Sequence, residues 1–449
     1  MRRPAYFFFL SLITVTLFIP ACQKAPREGT LTILYTLNVN GELERCGCSE
    51  KQLGGVARRK TVIDQHRSES SLVLDAGDIF FGSFQGLVGS REFYRYKCAA
   101  IVRAMNVMGY DGAIVGDYDF AQGHDFLRER MKESTFPFIC ANLVDRDGKR
   151  AAEPYQIFNR GGLRVAVTGF LDANVVTDVY RNALGEMKIQ DPFMSAKEIL
   201  PELAKQSDLI IALVHFNIIS VDEFLKTFPQ IHVALLGHTQ GEGTPVPVAN
   251  TITVYGSDLG QTLGKLVVKY VEGKGIVEYS GNQIPIGDEF ISDQQVEEVV
   301  TRFNQTVEEK RFSEDISFLQ ASAQKNNFLG ADQCRPCHPL FYEQWSATPH
   351  AYAFDTLKDE GYEYNPECVV CHVVGYRDPN GFVGQEKTSH LSGVQCESCH
   401  GAGGDHLAGT PMKSGVPEDV CRECHNEKHS PGFDVPLYYE RSNQCTLAE

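Results

Sequence analysis

Residues 30–285 predict an α/β layered fold, and residues 326–449 a mainly helical and loop-built module held together by something other than apolar side chains. Three observations predict this division. Between 30 and about 240, apolar runs rich in β-branched residues alternate with segments whose apolar residues recur at three- and four-residue spacing. After 325 the strand signal fades into short stretches of Cys, His, Gly and Pro. The Cys and His are also skewed, with 8 of the 14 Cys between 334 and 424 and 8 of the 13 His after 330.

The elements follow in order. Residues 1–21 read as an export signal: Arg2 and Arg3 form the positive start, and an apolar run from 5 to 19 is too short to span a bilayer. It ends in I-P-A-C, which resembles the lipobox of bacterial lipoproteins. That resemblance implies cleavage before Cys22, acylation of its thiol and anchoring to a bacterial membrane from outside the cytoplasm. A plain secretory signal with an incidental Cys is the alternative. Residues 31–37, 71–76, 112–115, 137–141, 163–170, 209–215 and 233–236 read as strands. Residues 56–66, 92–108, 125–132 and 195–205 read as amphipathic helices between them. Residues 251–255, 263–270 and 276–279 add further strands. A charged amphipathic helix over 293–312 falls in a linker spanning 286–325. With 43% hydrophobic and 22% charged residues the composition is that of a globular chain. A net charge of -16 excludes a general nucleic-acid binder, which needs clustered Lys and Arg to neutralise phosphates.

The second part contains C-x-x-C-H four times: Cys334/Cys337/His338, Cys368/Cys371/His372, Cys396/Cys399/His400 and Cys421/Cys424/His425. Two thiols three residues apart reach the two vinyl groups of one haem, and the adjoining imidazole reaches the iron. Zinc on thiolates is the rival reading, but it leaves the His after every second Cys without a task. Four covalent haems are therefore expected, with those four His as proximal ligands. Four further His remain after 330: His350, His390, His406 and His429. Four spare imidazoles for four irons suggest bis-His ligation, a low-potential electron-carrier arrangement. Met412 is the only Met there and can serve one iron at most. Trp345 and Phe341 are expected to pack on haem faces.

The runs Q-C-R-P-C-H-P-L-F-Y-E-Q-W-S-A-T-P-H-A-Y-A-F, P-E-C-V-V-C-H-V-V-G, G-V-Q-C-E-S-C-H-G-A-G-G-D-H and C-R-E-C-H resemble the small tetrahaem cytochromes c of nitrogen-cycle bacteria. The resemblance covers about 326–435. It implies a helical and loop-built haem cage, with His350 and His406 as the best distal ligands. The ending S-N-Q-C-T-L-A-E departs from the pattern, where a closing His-containing segment is expected, so one iron with an open position stays in view.

The first part carries T-L-N-V-N-G, G-G-V-A-R-R, L-D-A-G-D, G-D-Y-D-F, V-H and G-H-T-Q in order. Together they resemble the 5'-nucleotidase branch of the calcineurin-like metallophosphoesterases, over about 30–285. The resemblance implies two packed mixed sheets flanked by helices, with the motifs on loops at the carboxyl ends of strands. The family's two metals share one bridging Asp, here Asp78. The first metal's other ligands fall on Asn38, Asn40 and Gln240, neutral amides that are poor transition-metal ligands. The second metal's ligands fall on Asp117, His215 and His238, all able to coordinate. The His that protonates the leaving group is replaced by Tyr118, a poor acid at neutral pH. Three readings stay open: a fold without metal, one divalent ion without hydrolysis, and residual phosphoesterase activity. Cys46 and Cys48 follow the first motif, as a metal or redox pair or as a structural one. Cys98 and Cys140 read as buried thiols, and Cys445 as a tail residue.

The combined expectation is an extracytoplasmic, lipid-anchored tetrahaem cytochrome c that carries electrons to or from redox protein partners, with a degenerate phosphoesterase-like domain. The alternatives are a single-metal phosphohydrolase, and a multihaem reductase or oxidase of small nitrogen species.

Overall fold

The computed structural model describes residues 26–45, 52–83, 89–239, 241, 243–315, 326–376, 378, 380–412, 416–426, 428–430, 432–434 and 436–437. Cys22 and the residues expected to form an export signal, together with Cys46, Cys48, Gln240 and Cys445, lie outside the described residues. Among the described residues no helix is long and apolar enough to cross a membrane.

The strands are β1 (Glu28–Thr36), β2 (Ser71–Asp75), β3 (Gly112–Ala113), β4 (Leu143–Val144), β5 (Tyr155–Arg160), β6 (Leu163–Leu171), β7 (Lys188–Ile189), β8 (Leu209–His215), β9 (Val233–Gly237), β10 (Val246–Val248), β11 (Thr251–Val254), β12 (Thr262–Val271) and β13 (Gly275–Pro285). They build one sheet in the order β13-β12-β1-β2-β3 and a second in the order β10-β11-β9-β8-β6-β5, with β4 and β7 as a separate pair. Both large sheets are mixed: β1, β2 and β3 run parallel, as do β6, β8, β9 and β11, while antiparallel strands β12 and β13 extend one side of the first sheet and β10 and β5 close the second.

Strand β8 shows how the sequence makes the layers. Its residues are all buried, and successive side chains point to opposite faces. Leu209, Ile211 and Leu213 join the core between the two sheets. Ile210, Ala212 and Val214 meet the helices α5 (Pro192–Gln206) and α6 (Ile218–Thr227) on the other side. A strand covered on both faces reads as a continuous apolar run, and L-I-I-A-L-V does. The first sheet is covered by α1 (Val56–His66), α2 (Arg91–Met108) and α7 (Gln294–Lys310), with α3 (His124–Glu133) and the one-turn α4 (Asp178–Arg181) at its end.

Two elements differ from their sequence-based expectation. The run 137–141 forms no regular strand. Pro137 offers no N–H, and the next residues divide their backbone bonds among Ala113, Glu153 and Gly169, so the segment crosses between partners. The helix α7, expected within a linker, lays Val296, Val300, Phe303 and Val307 onto α1 and α2 and completes the first core.

The second part is built of short helices and loops. Its apolar cluster is small: Phe354, Leu357, Val369, Val373, Val374, Tyr376, Phe382 and Leu391. Buried polar groups hold the rest. The Glu397 carboxylate accepts from the backbone N–H groups of Leu329, Gly330 and Gly403, and Gln395 accepts from Ala331 N–H.

Candidate metal centre and haem sites

The carboxyl ends of β2, β3, β8 and β9 converge at one edge, and each delivers a side chain. Asp78 follows β2, Asp117 follows β3, His215 ends β8 and His238 follows β9. One ligand atom from each lies within 4.8 Å of all the others. Close approach needs glycine beside the ligands: a Cβ on Gly116 would stand 2.2 Å from Asp78 Oδ1, and one on Gly237 2.0 Å from the Ala76 carbonyl. Asp78 and His238 hold left-handed backbone (φ 55° and 66°), a strained conformation for such residues that recurs at functional sites.

The electrostatics follow from burial. His215 Nδ1 donates to the Ala76 carbonyl at 2.9 Å, which aims Nε2 at Asp117 Oδ1 (3.0 Å) and Asp78 Oδ2 (3.4 Å). His238 Nδ1 reaches the same Asp117 oxygen at 3.0 Å. Burial opposes the charge on His215, but the Asp78 and Asp117 carboxylates outweigh it and hold the imidazole well above its ordinary range. Burial also opposes charge on Asp117, yet hydrogen bonds from His215 and His238 keep its carboxyl below the ordinary value. Asp117 Oδ2 is buried with no hydrogen-bond partner. A buried carboxylate with one oxygen shared by two imidazoles, the other unpartnered, and a second carboxylate close by fits a divalent first-row metal ion.

The amides behave differently. Asn38 accepts from His238 N–H at 2.9 Å and donates to Asp258 at 3.0 Å, so its side chain joins loops and is spent. Asn40 Oδ1 is buried without a partner. Burial pushes the Tyr118 hydroxyl up to about 12, with the Asp117 and Asp78 charges adding to it. Sequence reasoning missed Asp119. It is fully buried, and its two oxygens accept from Phe80 N–H and Gly116 N–H at 2.8 Å each, bracing the loops that carry Asp78 and Asp117. Its place in G-D-Y-D-F was visible, but its role needs the fold, because its partners are backbone groups. Asp258, which accepts from the Asn38 amide, was missed because that partner lies 220 residues away.

In the second part, two imidazole pairs lie about 6 Å apart, one nearly parallel and the other, His350 with His425, tilted by 57°. The His338 and His406 rings have centroids 6.2 Å apart with planes at 23°, and those of His350 and His425 are 5.9 Å apart. With metal–nitrogen bonds of about 2 Å on each side, plus the ring radii, two axial imidazoles on one iron have centroids about 6 Å apart. The donor sets therefore fit two bis-His irons: His338 with His406, and His425 with His350. His372 Nδ1 donates to the Ala353 carbonyl, which fixes the orientation of the ring. His390 sits against Gly330, beside the first motif, and His429 next to His425. His400 closes the helix that begins at Cys396.

The motifs are neighbours in space. Donating a hydrogen bond to Cys396, together with burial, raises the Cys334 thiol, and the same pairing with Cys371, together with burial, raises the Cys424 thiol. The close thiol contacts thus run between motifs, whereas haem attachment joins the two thiols within each motif. The expected haem thiols are also unequally sheltered. Cys337 is exposed while Cys399 and the other six are half-buried. The cause is local: Cys337 lies on the turn that follows the one-turn helix Ala331–Cys334, where its N–H donates to the Cys334 carbonyl at 3.3 Å. Cys399 lies inside the helix Cys396–His400, near enough to Cys424 for its charge to add to the rise of that thiol. Neither Cys337 nor Cys399 is in a disulfide. Trp345 donates to the Val394 carbonyl at 2.8 Å and its ring meets Tyr342, while Phe341 lies 6.2 Å from His338.

Comparison with known proteins now decides the resemblances. A 5'-nucleotidase of Vibrio cholerae is 32% identical over 208 residues, 44% of this chain and 36% of its own. The trifunctional nucleotide phosphoesterase YfkN of Bacillus subtilis is 30% identical over 229 residues, 46% of this chain and 16% of its own. The N-terminal region matches the 5'-nucleotidase and calcineurin-like phosphoesterase family. The phosphoesterase-like region spans about a third or less of these curated relatives. Its fold is that of the B. subtilis calcineurin-like phosphoesterase YfkN (TM-score 0.53, 24% identity, 62% of this chain and 98% of that one). It is also that of a 5'-nucleotidase precursor of Thermus thermophilus (TM-score 0.51, 24% identity, 62% of this chain and 59% of that one). A family model described as cytochrome c554 and c-prime matches residues 333–401, and the mainly helical C-terminal region lies there.

Proposed function

We propose that this chain is an extracytoplasmic, lipid-anchored tetrahaem c-type cytochrome that carries electrons between redox protein partners. Its phosphoesterase-like region then holds one divalent ion and acts as a binding module. The observation that carries the reading is the set of four C-x-x-C-H motifs, two of whose imidazoles have a second imidazole with its centroid about 6 Å away. Covalent haem supplies one-electron exchange. The chain's own groups set its terms: His338 with His406 and His425 with His350 would hold two of the irons through paired imidazoles, which would favour electron passage there over binding of a small molecule. Intact mass of the mature protein should exceed the processed polypeptide by four haem masses, and a redox-poised spectrum should be low-spin. A colourless protein carrying zinc would overturn the reading. Replacing Cys22 with Ser should release the protein from membranes, and a wild type already free of membranes would exclude the anchor.

A second reading, a metal-dependent phosphohydrolase, is favoured by the intact Asp78, Asp117, His215 and His238 cluster and by the nucleotidase relatives. A bound ion would supply Lewis-acid polarisation of a phosphoryl oxygen. Against it stand the committed Asn38 amide and the weakly acidic Tyr118 phenol. The assay is turnover of nucleoside monophosphates and aryl phosphates by the holoprotein with added zinc or manganese. Brisk turnover abolished by Asp78→Ala would establish the hydrolase.

A further inference from the structure

The two regions meet at a buried ion pair that starts beside the metal centre and ends beside a haem attachment. The loops after β1 and β2 are tied by a backbone ladder: Asn38 N–H donates to the Gly77 carbonyl (2.9 Å), Asn40 to Asp78 (2.8 Å) and Gly41 to Ile79 (2.9 Å). The backbone of Asp78 is thus one hydrogen bond from Asn40, and that of its neighbour Ile79 one hydrogen bond from Gly41. Gly41 leaves no room for a side chain. A Cβ there would stand 2.4 Å from the Phe80 carbonyl and 3.4 Å from Lys97 Nζ, so the ammonium lies directly against this ladder. Lys97 bonds Glu367 at 2.5 Å across 270 residues, with side chains 6% and 17% exposed. Glu367 Oε1 is buried with no partner of its own. The next residue is Cys368, the first thiol of the second C-x-x-C-H motif. The same loop carries two more links: Glu42 with Lys428, three residues past His425, at 2.5 Å, and Glu44 with the Tyr362 hydroxyl at 3.0 Å.

We propose that the ladder at Asn40 and Gly41, Lys97 and Glu367 form a coupling element, through which occupation of the Asp78–Asp117–His215–His238 centre sets the reduction midpoint of the haem attached at Cys368 and Cys371. The inference rests on the proposed haem and single-ion reading. Charges withdrawn from water act on one another strongly, and Lys97 and Glu367 are both largely withdrawn from it. A cation at Asp78 adds positive charge to one end and favours the reduced haem at the other, so the midpoint rises when the ion binds. Linkage makes the effect mutual: reducing that haem tightens ion binding by the same factor.

The test uses the four-haem full chain, with zinc as a redox-inert probe. Spectroelectrochemical titration with zinc and with chelator should show one haem of four shifted to higher potential. Zinc should also bind about fivefold or more tightly to the reduced protein. Asp78→Ala should lose both zinc and the shift. Glu367→Gln should keep zinc at one equivalent yet lose most of the shift, whereas Lys97→Arg, which preserves the charge pair, should retain it. If Glu367→Gln does not fold, the wild-type titration and Lys97→Arg decide. Bound zinc and four haems with unmoved midpoints, or an undiminished shift in Glu367→Gln, would overturn the coupling and leave the functional reading standing. Absence of haem or zinc would overturn both.

Discussion

Asp117 is the residue on which the metal centre turns. One oxygen is shared by both imidazoles and the other is buried without a partner, an arrangement costly to maintain unless a cation completes it. Asp117→Ala should therefore weaken ion binding by more than the roughly 10- to 100-fold typical of losing a mere supporting group, measured by titration calorimetry with zinc. Asp75, three residues before Asp78, behaves differently. Burial pushes its carboxyl up to about 7, although Thr36 and Gly77 N–H donate to it. The folded protein then holds a proton that the unfolded chain releases near pH 4, so stability falls as pH rises from there through about 7. In metal-free protein the unfolding midpoint of Asp75→Asn should gain on wild type over that interval, and a pH-independent difference would contradict the assignment. The ligands themselves were legible because their types recur at motif spacing. The bracing groups Asp119 and Asp258 were not, because a carboxylate that accepts a backbone N–H or an amide has no pattern in sequence.

At the scale of elements, α7 repays closest inspection. Asp293 caps it by accepting from Gln295 and Val296 N–H, and Phe303 packs its ring 6.0 Å from that of Phe93 on α2. Asp293→Ala should cost about 1 kcal/mol, and Phe303→Ala about 3–5 kcal/mol, both read by denaturant unfolding of the holoprotein. Long helices and doubly buried strands such as α2 and β8 were legible from period alone. The helix α6 was not read, because exposed Ile218 and Ile219 blur the stripe of Val221, Phe224 and Leu225. Edge strand β5 was missed because it is only partly buried along its length, without a clean alternation. That α7 joins the first core could not be read from its charge, since its apolar stripe is compatible with any partner.

Across the whole molecule, the regions are joined by specific polar contacts. Lys97 with Glu367 is the most buried of them, and Arg311 adds a guanidinium over the Tyr364 ring at 4.9 Å. Removing either partner of the buried pair should cost about 3–5 kcal/mol, because the other charge is left uncompensated. The double variant should cost less than the sum, and a double-mutant cycle on unfolding free energies checks this. None of this docking was legible. The motifs announced two kinds of chemistry, but a contact spanning 270 residues leaves no local trace.

The distance along the chain between Lys97 and Glu367 also imposes an order of events during synthesis. Domains fold as units while the chain emerges amino-terminal end first. When α2 is complete, the carboxylate that will neutralise Lys97 has not yet been made, and it arrives 270 residues later beside the second haem-attachment motif. Until then the face of α2 around Lys97 must remain hydrated. The last closure of the older half of the protein at Lys97 thus waits for Glu367 in the younger half.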